Sequence, residues 1–454
     1  MSLANAAQGG TCVTTPAALH VGAVVDRSRG RWETMRYDAI VVGAGPAGST
    51  TAREAAARGL SVLVLEKATF PRDKPCGGGV NVRTQRLLPF ALGSVAERPI
   101  RGMRISLRGQ DAFARSFAEP ISHLTQRRRL DAFLAERAMA AGATLREGVT
   151  VKEVEREAAG VVVRTGEGTY EGRTLVAADG ANGRTAGLAG LAGARWLIVA
   201  LEGNVTPRGE FPLAWADRLG LDIGDDPGGY GWLFPKGDHL NVGVGVWQPL
   251  GPSLRQRLAR VTQFYGFEPE ELWGVRGHHL PVRQPGAPLA EGNALLVGDA
   301  AGLLDPFTGE GIYAAVWSGQ VAARHLGEYL SGAAVDLDGY RREVEETLGT
   351  ELRLAGRVRD VFHLSPGLYV TLIGRAPLAW RFGCRMMQGD RTYEDLARKL
   401  GPLAGGLDLV SDAVRAIPAL RRRAGFDALV EPPRPERFLR SWGAGARGSA
   451  NAAG

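Results

Sequence analysis

The chain has 454 residues, of which 44% are hydrophobic, 23% charged and 7% aromatic, a balance that excludes a disordered or a membrane-spanning protein. The formal net charge is +7, but residues 1–36 carry a net +2 and residues 421–454 a net +4, so the nearly neutral body indicates no nucleic-acid-binding surface. Three cysteines cannot form a disulfide framework, and we expect a reducing compartment, the cytoplasm.

The two ends are predicted to be disordered. Residues 1–36 are interpreted as a disordered extension and residues 426–454 as a flexible basic tail. A basic segment gains about 1 kcal/mol per cation close to an anionic membrane. Peripheral contact with the cytoplasmic membrane face is therefore one interpretation of the tail, and a solvated end is the simpler one.

Ordered structure begins with a strand–helix–strand unit. Residues 38–42 form a short apolar run, residues 46–58 are rich in alanine, and residues 61–65 are apolar again. Strands of this kind are buried on both faces, and Gly59 stops the helix between them. The pattern predicts one βαβ unit of a parallel sheet.

The turn inside this unit, Gly43 to Gly48, has the spacing GxGxxG. Gly43 permits the tight turn, Gly45 lets a pyrophosphate approach the backbone, and Gly48 lets the helix pack against the strand. Glu66 lies 18 residues beyond Gly48, near the distance expected for an acid that accepts a ribose 2′-hydroxyl. The carboxylate disfavours a 2′-phosphate, so this turn predicts a dinucleotide such as FAD or NAD rather than NADP.

The rest of the chain alternates in character. We predict an amphipathic helix over 127–142 and a strand over 173–178 that ends in a sharp turn. An antiparallel sheet is predicted over 195–247, with one clear hairpin of 230–236 against 239–247. A further strand over 294–297, a helix from about 309 and a helical region over 337–425 complete the order.

The segment Gly298–Gly319, GDAAGLLDPFTGEGIYAAVWSG, resembles the second flavin motif of glutathione-reductase-type FAD proteins. In those proteins the aspartate, here Asp299, accepts hydrogen bonds from the ribityl chain, and the next helix points its N-terminus at the flavin pyrimidine. A helix N-terminus stabilises the negative charge of a reduced flavin. The resemblance therefore implies FAD.

Two further segments resemble the same superfamily. Gln126–Asp131 is similar to its R-x-x-[FL]-D stretch, which would make Arg127 an FAD contact, although three adjacent arginines leave the register open and an exposed basic helix start is the alternative. Ala178–Gly183 is similar to its internal DG motif. The other FAD contacts that the resemblance implies are Ala47, Cys76, Gly77, Gly79, Val151, Gly309, Gly311 and Ile312.

Three motifs resemble the geranylgeranyl reductase family: Phe70–Gly79 (FPRDKPCGGG), Tyr230–Lys236 (YGWLFPK) and Asp305–Gly311 (DPFTGEG). The resemblance covers about residues 38–393. It implies an α/β fold with a discontinuous Rossmann-like FAD-binding domain, an inserted antiparallel-sheet substrate domain and a C-terminal helical region. The FAD-binding domain is expected to comprise residues 37–190 and 281–336, the substrate domain residues 191–280, and the helical region residues 337–425.

The reaction that this family implies is reduction of isolated double bonds in a polyprenyl chain. Hydride passes from reduced flavin to an alkene carbon, and a proton follows. Cys76 is a candidate proton donor or flavin contact, with a small buried residue as the alternative, and Tyr230 is the reserve donor. Tyr230, Trp232 and Phe234 share one strand face and either line a substrate tunnel or belong to the sheet core.

Other interpretations remain open from the sequence. A flavin-dependent hydroxylase or halogenase has the same fold, but Tyr230 replaces the first tryptophan of the halogenase run GWxWxIP. A non-enzymatic prenyl-binding protein is the third alternative. No dedicated nicotinamide domain is predicted, so NADPH or another electron donor, including a donor protein, must dock transiently. Lys236 is expected to be exposed or paired, and the pair His278-His279 is not interpreted as a metal site.

Overall fold

The computed structural model describes residues 36–224 and 228–424. The predicted tail, 426–454, and all but the last residue of the predicted extension, 1–36, lie outside these ranges; that last residue, Arg36, opens the first strand. The strands are β1 (Arg36–Val42), β2 (Val62–Leu65), β3 (Gly79–Asn81), β4 (Arg98–Ile100), β5 (Gly102–Leu107), β6 (Gln110–Ser116), β7 (Ser122–Leu124), β8 (Thr144–Arg146), β9 (Val151–Glu157), β10 (Gly160–Thr165), β11 (Thr169–Ala177), β12 (Arg195–Val205), β13 (Arg218–Ile223), β14 (Tyr230–Pro235), β15 (Leu240–Trp247), β16 (Trp273–Arg283), β17 (Ala290–Glu291) and β18 (Ala294–Leu296).

Helices follow the strands in the first half of the chain and dominate the last hundred described residues. They are α1 (Pro46–Ala56), α2 (Val82–Gln85), α3 (Arg127–Ala140), α4 (Thr185–Leu188), α5 (Leu254–Phe264), α6 (Ile312–Leu330), α7 (Asp338–Val344), α8 (Thr350–Leu364), α9 (Pro366–Arg375), α10 (Pro377–Gln388), α11 (Tyr393–Leu400), α12 (Leu403–Ala416) and α13 (Pro418–Arg423).

The first sheet is the Rossmann-like layer. Its strand order is β17-β18-β11-β1-β2-β8, and β10 and β9 extend it from β11. The inner pairings β18–β11, β11–β1, β1–β2 and β2–β8 are all parallel. The inner strands are buried and apolar, because α1 packs against α3 and α6 over the sheet. The predicted α/β class and the β1–α1–β2 unit are confirmed.

The second sheet has the order β16-β12-β15-β14-β13-β5-β6. Its pairings are antiparallel except for β13–β5, which is parallel. The predicted hairpin is β14–β15, in which Tyr230 lies opposite Gly245 and Pro235 lies opposite Leu240. This sheet is the predicted antiparallel-sheet layer.

The predicted domain boundaries do not account for three strands of this sheet. β5 and β6 come from inside the segment 37–190, and β16 continues past residue 280. The reason is physical: β5 pairs with β13 more than a hundred residues later in the chain, and no local pattern reports such a partner.

The helices α8 to α13 form the C-terminal helical region of the predicted fold class, and some of them cover one part of the second sheet. Trp380 of α10 packs with Leu219 of β13 and Phe234 of β14, and Val370 of α9 packs with Ile105 of β5. No helix within the described ranges combines the length and the apolar character that crossing a bilayer requires.

Candidate active site

A cavity of about 950 Å³ is lined by both sheets and brings most of the predicted site residues together. One part, here called the cofactor section, is lined by the turns after β1 and β18 and by the start of α6. The other part, here called the apolar section, is lined by residues of β5, β13, α8, α9 and α10. The loop 76–79 and the aromatic side chains of β14 line the same cavity.

Glycines shape the turn after β1. Gly43 has φ 102°, and a Cβ there would lie 2.5 Å from the carbonyl oxygen of Ala178. A Cβ on Gly48 would lie 1.9 Å from the carbonyl oxygen of Gly43. Gly45 is different, since the nearest atom to its Cβ position is Nη2 of Arg72 at 3.7 Å. The turn therefore leaves its backbone open to the cavity where a pyrophosphate needs to approach.

Two helices begin at this cavity without a side-chain cap. α1 has Gly45 as its N-cap residue, and α6 has Gly311; neither receives a capping side-chain hydrogen bond. Ala47 and Ile312, in the first turns of these helices, line the cavity. Their first-turn N–H groups and their dipoles favour anionic groups there.

Glu66 directly follows β2, beside the glycine turn, and is a buried residue, 4% exposed. Its oxygens accept hydrogen bonds from the N–H of Ala44 at 2.8 Å and of Ala68 at 3.1 Å. Nη2 of Arg72 lies 3.4 Å from Oε2 of Glu66. The backbone contacts hold the carboxylate at the cavity wall, where a ribose hydroxyl would lie in the predicted complex.

Arg127 is the buried member of the three adjacent arginines, whereas Arg128 and Arg129 are exposed. Its guanidinium donates two hydrogen bonds to Asp131, at 2.7 and 2.8 Å, and Asp131 also accepts from Arg72 at 2.8 Å. Burial lowers the pKa of Arg127, but the Asp131 carboxylate outweighs it and raises that pKa above its ordinary value. Of the three arginines, Arg127 is the one that lines the cavity.

Asp299 follows β18 and lines the cofactor section. Lys74 lies 3.2 Å from one of its oxygens, and His278 is also close. Burial raises the pKa of Asp299, but Lys74 and His278 outweigh it, so the pKa lies below its ordinary value. Burial and then Lys74 lower the pKa of His278 to about 3. Asp299 is therefore a carboxylate, an acceptor suited to ribityl hydroxyls.

The loop 76–79 is pinned by groups from several elements. Cys76 N–H donates to Glu202 on β12 at 2.8 Å, and Gly78 N–H donates to the Cys76 sulfur at 3.3 Å. A Cβ on Gly77 would lie 2.5 Å from the Phe234 ring, and one on Gly78 would lie 2.0 Å from the carbonyl oxygen of Thr125. The glycines are therefore required by close packing.

Of the two alternatives from the sequence, an exposed Lys236 is wrong. The residue is 3% exposed and its side chain points inward. Its ammonium group donates to the carbonyl oxygens of Gly77 and Thr125, the second at 2.9 Å. Burial lowers its pKa, although Cys76 and Glu202 act in the opposite direction. Lys236 thus ties the β14–β15 hairpin to the loop 76–79.

Tyr230, Trp232 and Phe234 form a row along β14, with ring centroids 6.0 and 6.3 Å apart. All three line the cavity. Tyr230 donates its hydroxyl proton to the carbonyl oxygen of Thr308 at 2.7 Å, and Trp232 donates to Asn241 at 2.8 Å. Burial raises the pKa of Tyr230 well above its ordinary value.

The remaining predicted residues also lie at the cavity. Val151 begins β9 and lines it, as do Gly79 and Gly309. In the DG segment, one Asp179 oxygen accepts hydrogen bonds from the N–H groups of Arg184 and Thr185, at 2.8 and 2.9 Å, so this motif starts α4. No group of three or more ligating side chains suited to a metal ion occurs among the residues that the structure describes.

Among the cavity-lining residues that were not predicted as site residues are Glu202, Lys74 and His278. Glu202 is the informative one, because it lines the cavity directly after the apolar run Leu197–Leu201 of β12. A lone carboxyl at the end of an apolar run within a strand is the signal that could have identified it. Burial raises its pKa to about 7, although Lys236 and the N–H of Cys76 act to lower it.

The donor set fits FAD. The glycine turn and two uncapped helix N-termini suit a diphosphate and a flavin pyrimidine, Glu66 and Asp299 are acceptors for hydroxyls, and the loop 76–79 offers backbone without side chains. These residues define an FAD-dependent oxidoreductase of the glutathione-reductase-type fold.

Comparisons with known proteins agree with this class. Residues 36–212 match the model of an FAD-binding domain family. Menaquinone reductase of Mycobacterium tuberculosis is 33% identical over 318 residues, which cover 64% of this chain and 76% of that protein. Geranylgeranyl diphosphate reductase of Rhodobacter capsulatus is 31% identical over 362 residues, covering 73% and 85%.

Solved structures share the fold. A geranylgeranyl bacteriochlorophyll reductase-like protein from Thermoplasma acidophilum superposes with a TM-score of 0.64 at 24% identity, covering 81% of this chain and 99% of that one. A flavin-dependent brominase superposes equally well, with a TM-score of 0.64 at 19% identity, covering 78% and 94%. The structures therefore show the fold, and the sequence relatives show the family. The chain belongs to the geranylgeranyl reductase family of FAD-dependent oxidoreductases.

Proposed function

We propose that this enzyme saturates isolated double bonds of a polyprenyl chain. The observation that carries the proposal is the continuity of the cofactor section with the apolar section in one cavity. The names of the relatives, which include reductases of menaquinone, geranylgeranyl diphosphate and digeranylgeranylglycerophospholipid, support the same substrate class.

The apolar section suits an isoprenoid chain because its walls are hydrocarbon and aromatic side chains. An uncharged chain gains about 25 cal/mol for each Å² of apolar surface that leaves water. The section is lined by Met103, Ile105, Phe113, Leu219, Leu221, Ile223, Phe307, Phe362, Val370, Ile373, Trp380, Met386 and Met387.

In this proposal, FAD when bound and reduced supplies the hydride. The glycine turn, Glu66 and Asp299 hold the cofactor, and the loop 76–79 presents backbone to its ring. Trp232 and Phe234 position the prenyl chain beside that loop. Cys76 and Tyr230 are the proton donors proposed from the sequence. NADPH or another donor, including a donor protein, docks transiently to reduce the flavin.

The test is anaerobic turnover of the yellow, FAD-loaded protein after chemical reduction. Geranylgeranyl diphosphate and menaquinone are offered separately, and products are analysed by mass spectrometry. We expect reoxidation of the flavin coupled to a gain of one H₂ for each double bond reduced. In a parallel incubation with oxygen and halide, a product containing a new hydroxyl or halogen would establish the hydroxylase or halogenase alternative. A protein that purifies without flavin would support the prenyl-binding alternative.

We also propose that α9 and α10 rest on an anionic lipid bilayer. Leu368, Leu372 and Leu378 are 54%, 50% and 79% exposed on these helices. The segment Pro366–Gln388 contains three arginines and no acidic residue. The opposite side of the same helices lines the apolar section. An apolar, cationic outer face beside a lipid-accepting cavity is the pattern of a membrane-surface helix pair.

Vesicle flotation tests this surface directly. The triple change Leu368→Asp, Leu372→Asp and Leu378→Asp should abolish binding to vesicles that contain anionic lipid, while FAD content stays normal. The matched control is Leu213→Asp, at a leucine that is 89% exposed outside these helices. Flotation of the triple variant at the level of the control would contradict the proposed surface without affecting the proposed reaction.

A further inference from the structure

We propose that Glu202 is the acid that supplies the proton for prenyl-chain reduction. The proposal rests on the proposed function, because hydride addition to an alkene must be completed by a proton. Glu202 extends from β12 into the cavity that also contains Cys76 and the aromatic row of β14. It thus faces the loop 76–79, which is expected to contact the flavin.

The position of the Glu202 carboxyl is fixed by hydrogen bonds. One oxygen accepts the N–H of Cys76 at 2.8 Å, and Asn241 on the neighbouring strand β15 also interacts with the carboxyl. Asn241 is itself held by Trp232 and Asn204. The carboxyl is therefore oriented by groups from β12, β14, β15 and the loop.

The charged and titratable groups around Glu202 come from three parts of the chain. Lys236 reaches it from the β14–β15 hairpin, Asp73 and Cys76 face it from the segment 73–76, and Arg276 lies opposite it on β16. Arg276 is bound to Asp73 at 3.1 Å and is exposed. Burial has the largest effect on the pKa of Glu202 and raises it to about 7, so a substantial fraction of the carboxyl carries a proton at neutral pH.

Tyr230 is less suited to this role. Its hydroxyl proton is donated to the carbonyl oxygen of Thr308, and burial raises its pKa, so releasing that proton would leave a buried phenolate. Cys76 contributes its N–H to Glu202 and its sulfur to Gly78 as an acceptor. The raised pKa of Glu202, about 7, lets it give up a proton near neutral pH and regain it from water.

The proton and electron balance is simple. One alkene carbon forms a C–H bond with the hydride, which carries two electrons away from the reduced cofactor. The other carbon forms a C–H bond with the proton as the O–H bond of Glu202 breaks. The π bond is lost, the cofactor is oxidised, and the Glu202 carboxylate is reprotonated by solvent before the next turnover.

The kinetic test follows flavin reoxidation by geranylgeranyl diphosphate in a stopped-flow instrument without oxygen. Loss of a general acid slows its step by roughly 10²–10⁴-fold, so we expect at least a hundredfold decrease in Glu202→Gln, while reduction of the flavin by dithionite is unchanged. The wild-type rate should fall as pH rises through about 7, and the variant should lose this dependence. Glu202→Asp should restore part of the rate and of the pH profile.

The matched control is Asp222→Asn. Asp222 is a buried carboxyl of the same sheet, bound to Ser106 at 2.7 Å and to the N–H of Gly109 at 2.9 Å, and it does not line the cavity. This control should reoxidise at the wild-type rate with the wild-type pH profile. Wild-type reoxidation by Glu202→Gln would overturn the role of Glu202, as would a slowed variant that keeps the full pH dependence.

A second measurement is independent of turnover. Infrared difference spectra of the FAD-loaded protein between about pH 6 and about pH 8.5 should show loss of a protonated-carboxyl band. The band should be absent in Glu202→Gln and present in Asp222→Asn. A band that persists in Glu202→Gln would show that another carboxyl titrates. If wild-type enzyme reduced no prenyl substrate yet the band titrated as expected, the proposed function alone would fail.

Discussion

Glu66 and Asp299 hold their charges in different ways. Glu66 is stabilised by backbone N–H groups of Ala44 and Ala68, so it also fixes the turn around it. Asp299 is stabilised by the ammonium group of Lys74, which lies 3.2 Å from one of its oxygens. Replacing Glu66 therefore disturbs a backbone turn, whereas replacing Asp299 leaves the backbone in place and removes a counter-charge.

We expect Glu66→Ala and Asp299→Ala each to weaken FAD binding by about 1.5–3 kcal/mol, because each change removes a charged hydrogen-bond acceptor. FAD content after purification and titration of the apoprotein measure this loss. Glu66→Ala should also lower the melting temperature more than Asp299→Ala. The exposed Glu167→Ala serves as control, and full FAD content in both site variants would show that the cofactor contacts are assigned to the wrong residues.

For Tyr230→Phe we expect flavin reoxidation by the prenyl substrate to slow by less than about fivefold. The hydroxyl bonds a backbone carbonyl, and losing such a bond costs about 1 kcal/mol or less when the loop can adjust. Stopped-flow reoxidation is the measurement. A decrease of a hundredfold would instead make Tyr230 the proton donor.

The residue-scale predictions from the sequence depended on how local each signal was. Gly43, Glu66 and Asp299 lie in or next to short motifs whose spacing carries the chemistry, and the structure brings them to one cavity. From the sequence, Lys236 lies at a hairpin turn and was expected to be exposed or paired. Its inward orientation depends on hydrogen bonds to carbonyl oxygens of residues that are distant in the sequence. Only the tertiary structure shows such partners.

At the scale of elements, two glycines with positive φ but different surroundings allow the cost of backbone strain to be distinguished from the cost of overpacking. Gly78 has φ 68°, and its Cβ position lies 2.0 Å from Thr125 O, whereas Gly59 has φ 84° and nothing within 4 Å. Gly59→Ala should therefore cost only the left-handed penalty, about 1–2 kcal/mol. Gly78→Ala should add an overpacking cost of about 1–3 kcal/mol.

Urea unfolding and FAD content distinguish the two variants. Gly78→Ala should also lose FAD, because the loop 76–79 must move, and Gly59→Ala should retain it. Equal destabilisation of the two proteins with full FAD in both would mean that the loop accommodates a methyl group.

The elements that the sequence predicted well are those with a local pattern. The βαβ unit and the hairpin β14–β15 carry glycine turns and apolar runs of the right length. β5 and β6 were missed because residues 102–116 mix arginines with apolar residues and the strands are partly exposed. Their place in the second sheet is set by pairing with β13, and this long-range contact has no signature within the segment.

At the scale of the whole molecule, buried histidines predict acid sensitivity. Burial and then Arg359 lower the pKa of His363 to about 3, and its Nδ1 is buried without a partner among the described residues. The unfolded state binds the proton at about pH 6.5, so stability is full above that value and is lost as pH falls towards 3. The loss is on the order of 3 kcal/mol for one such group.

We therefore expect His363→Asn to reduce the fall in unfolding free energy between about pH 6.5 and about pH 4. Urea unfolding across this range is the measurement. Above about pH 7 the two proteins should differ by an amount independent of pH, since the histidine is neutral in both states there. Parallel curves over the whole acid range would contradict the assignment.

The two halves of the cofactor section lie far apart along the chain, at the turn after β1 and at the start of α6. During synthesis the ribosome releases the N-terminal half first, at about 5–20 residues per second. The nascent chain consequently exposes the glycine turn for on the order of ten seconds or more before α6 emerges to complete the cavity. The flavin can therefore bind to the complete cavity only late in synthesis. Until β18 emerges, β11 lacks it as a neighbour, and this sheet edge is open to chaperones.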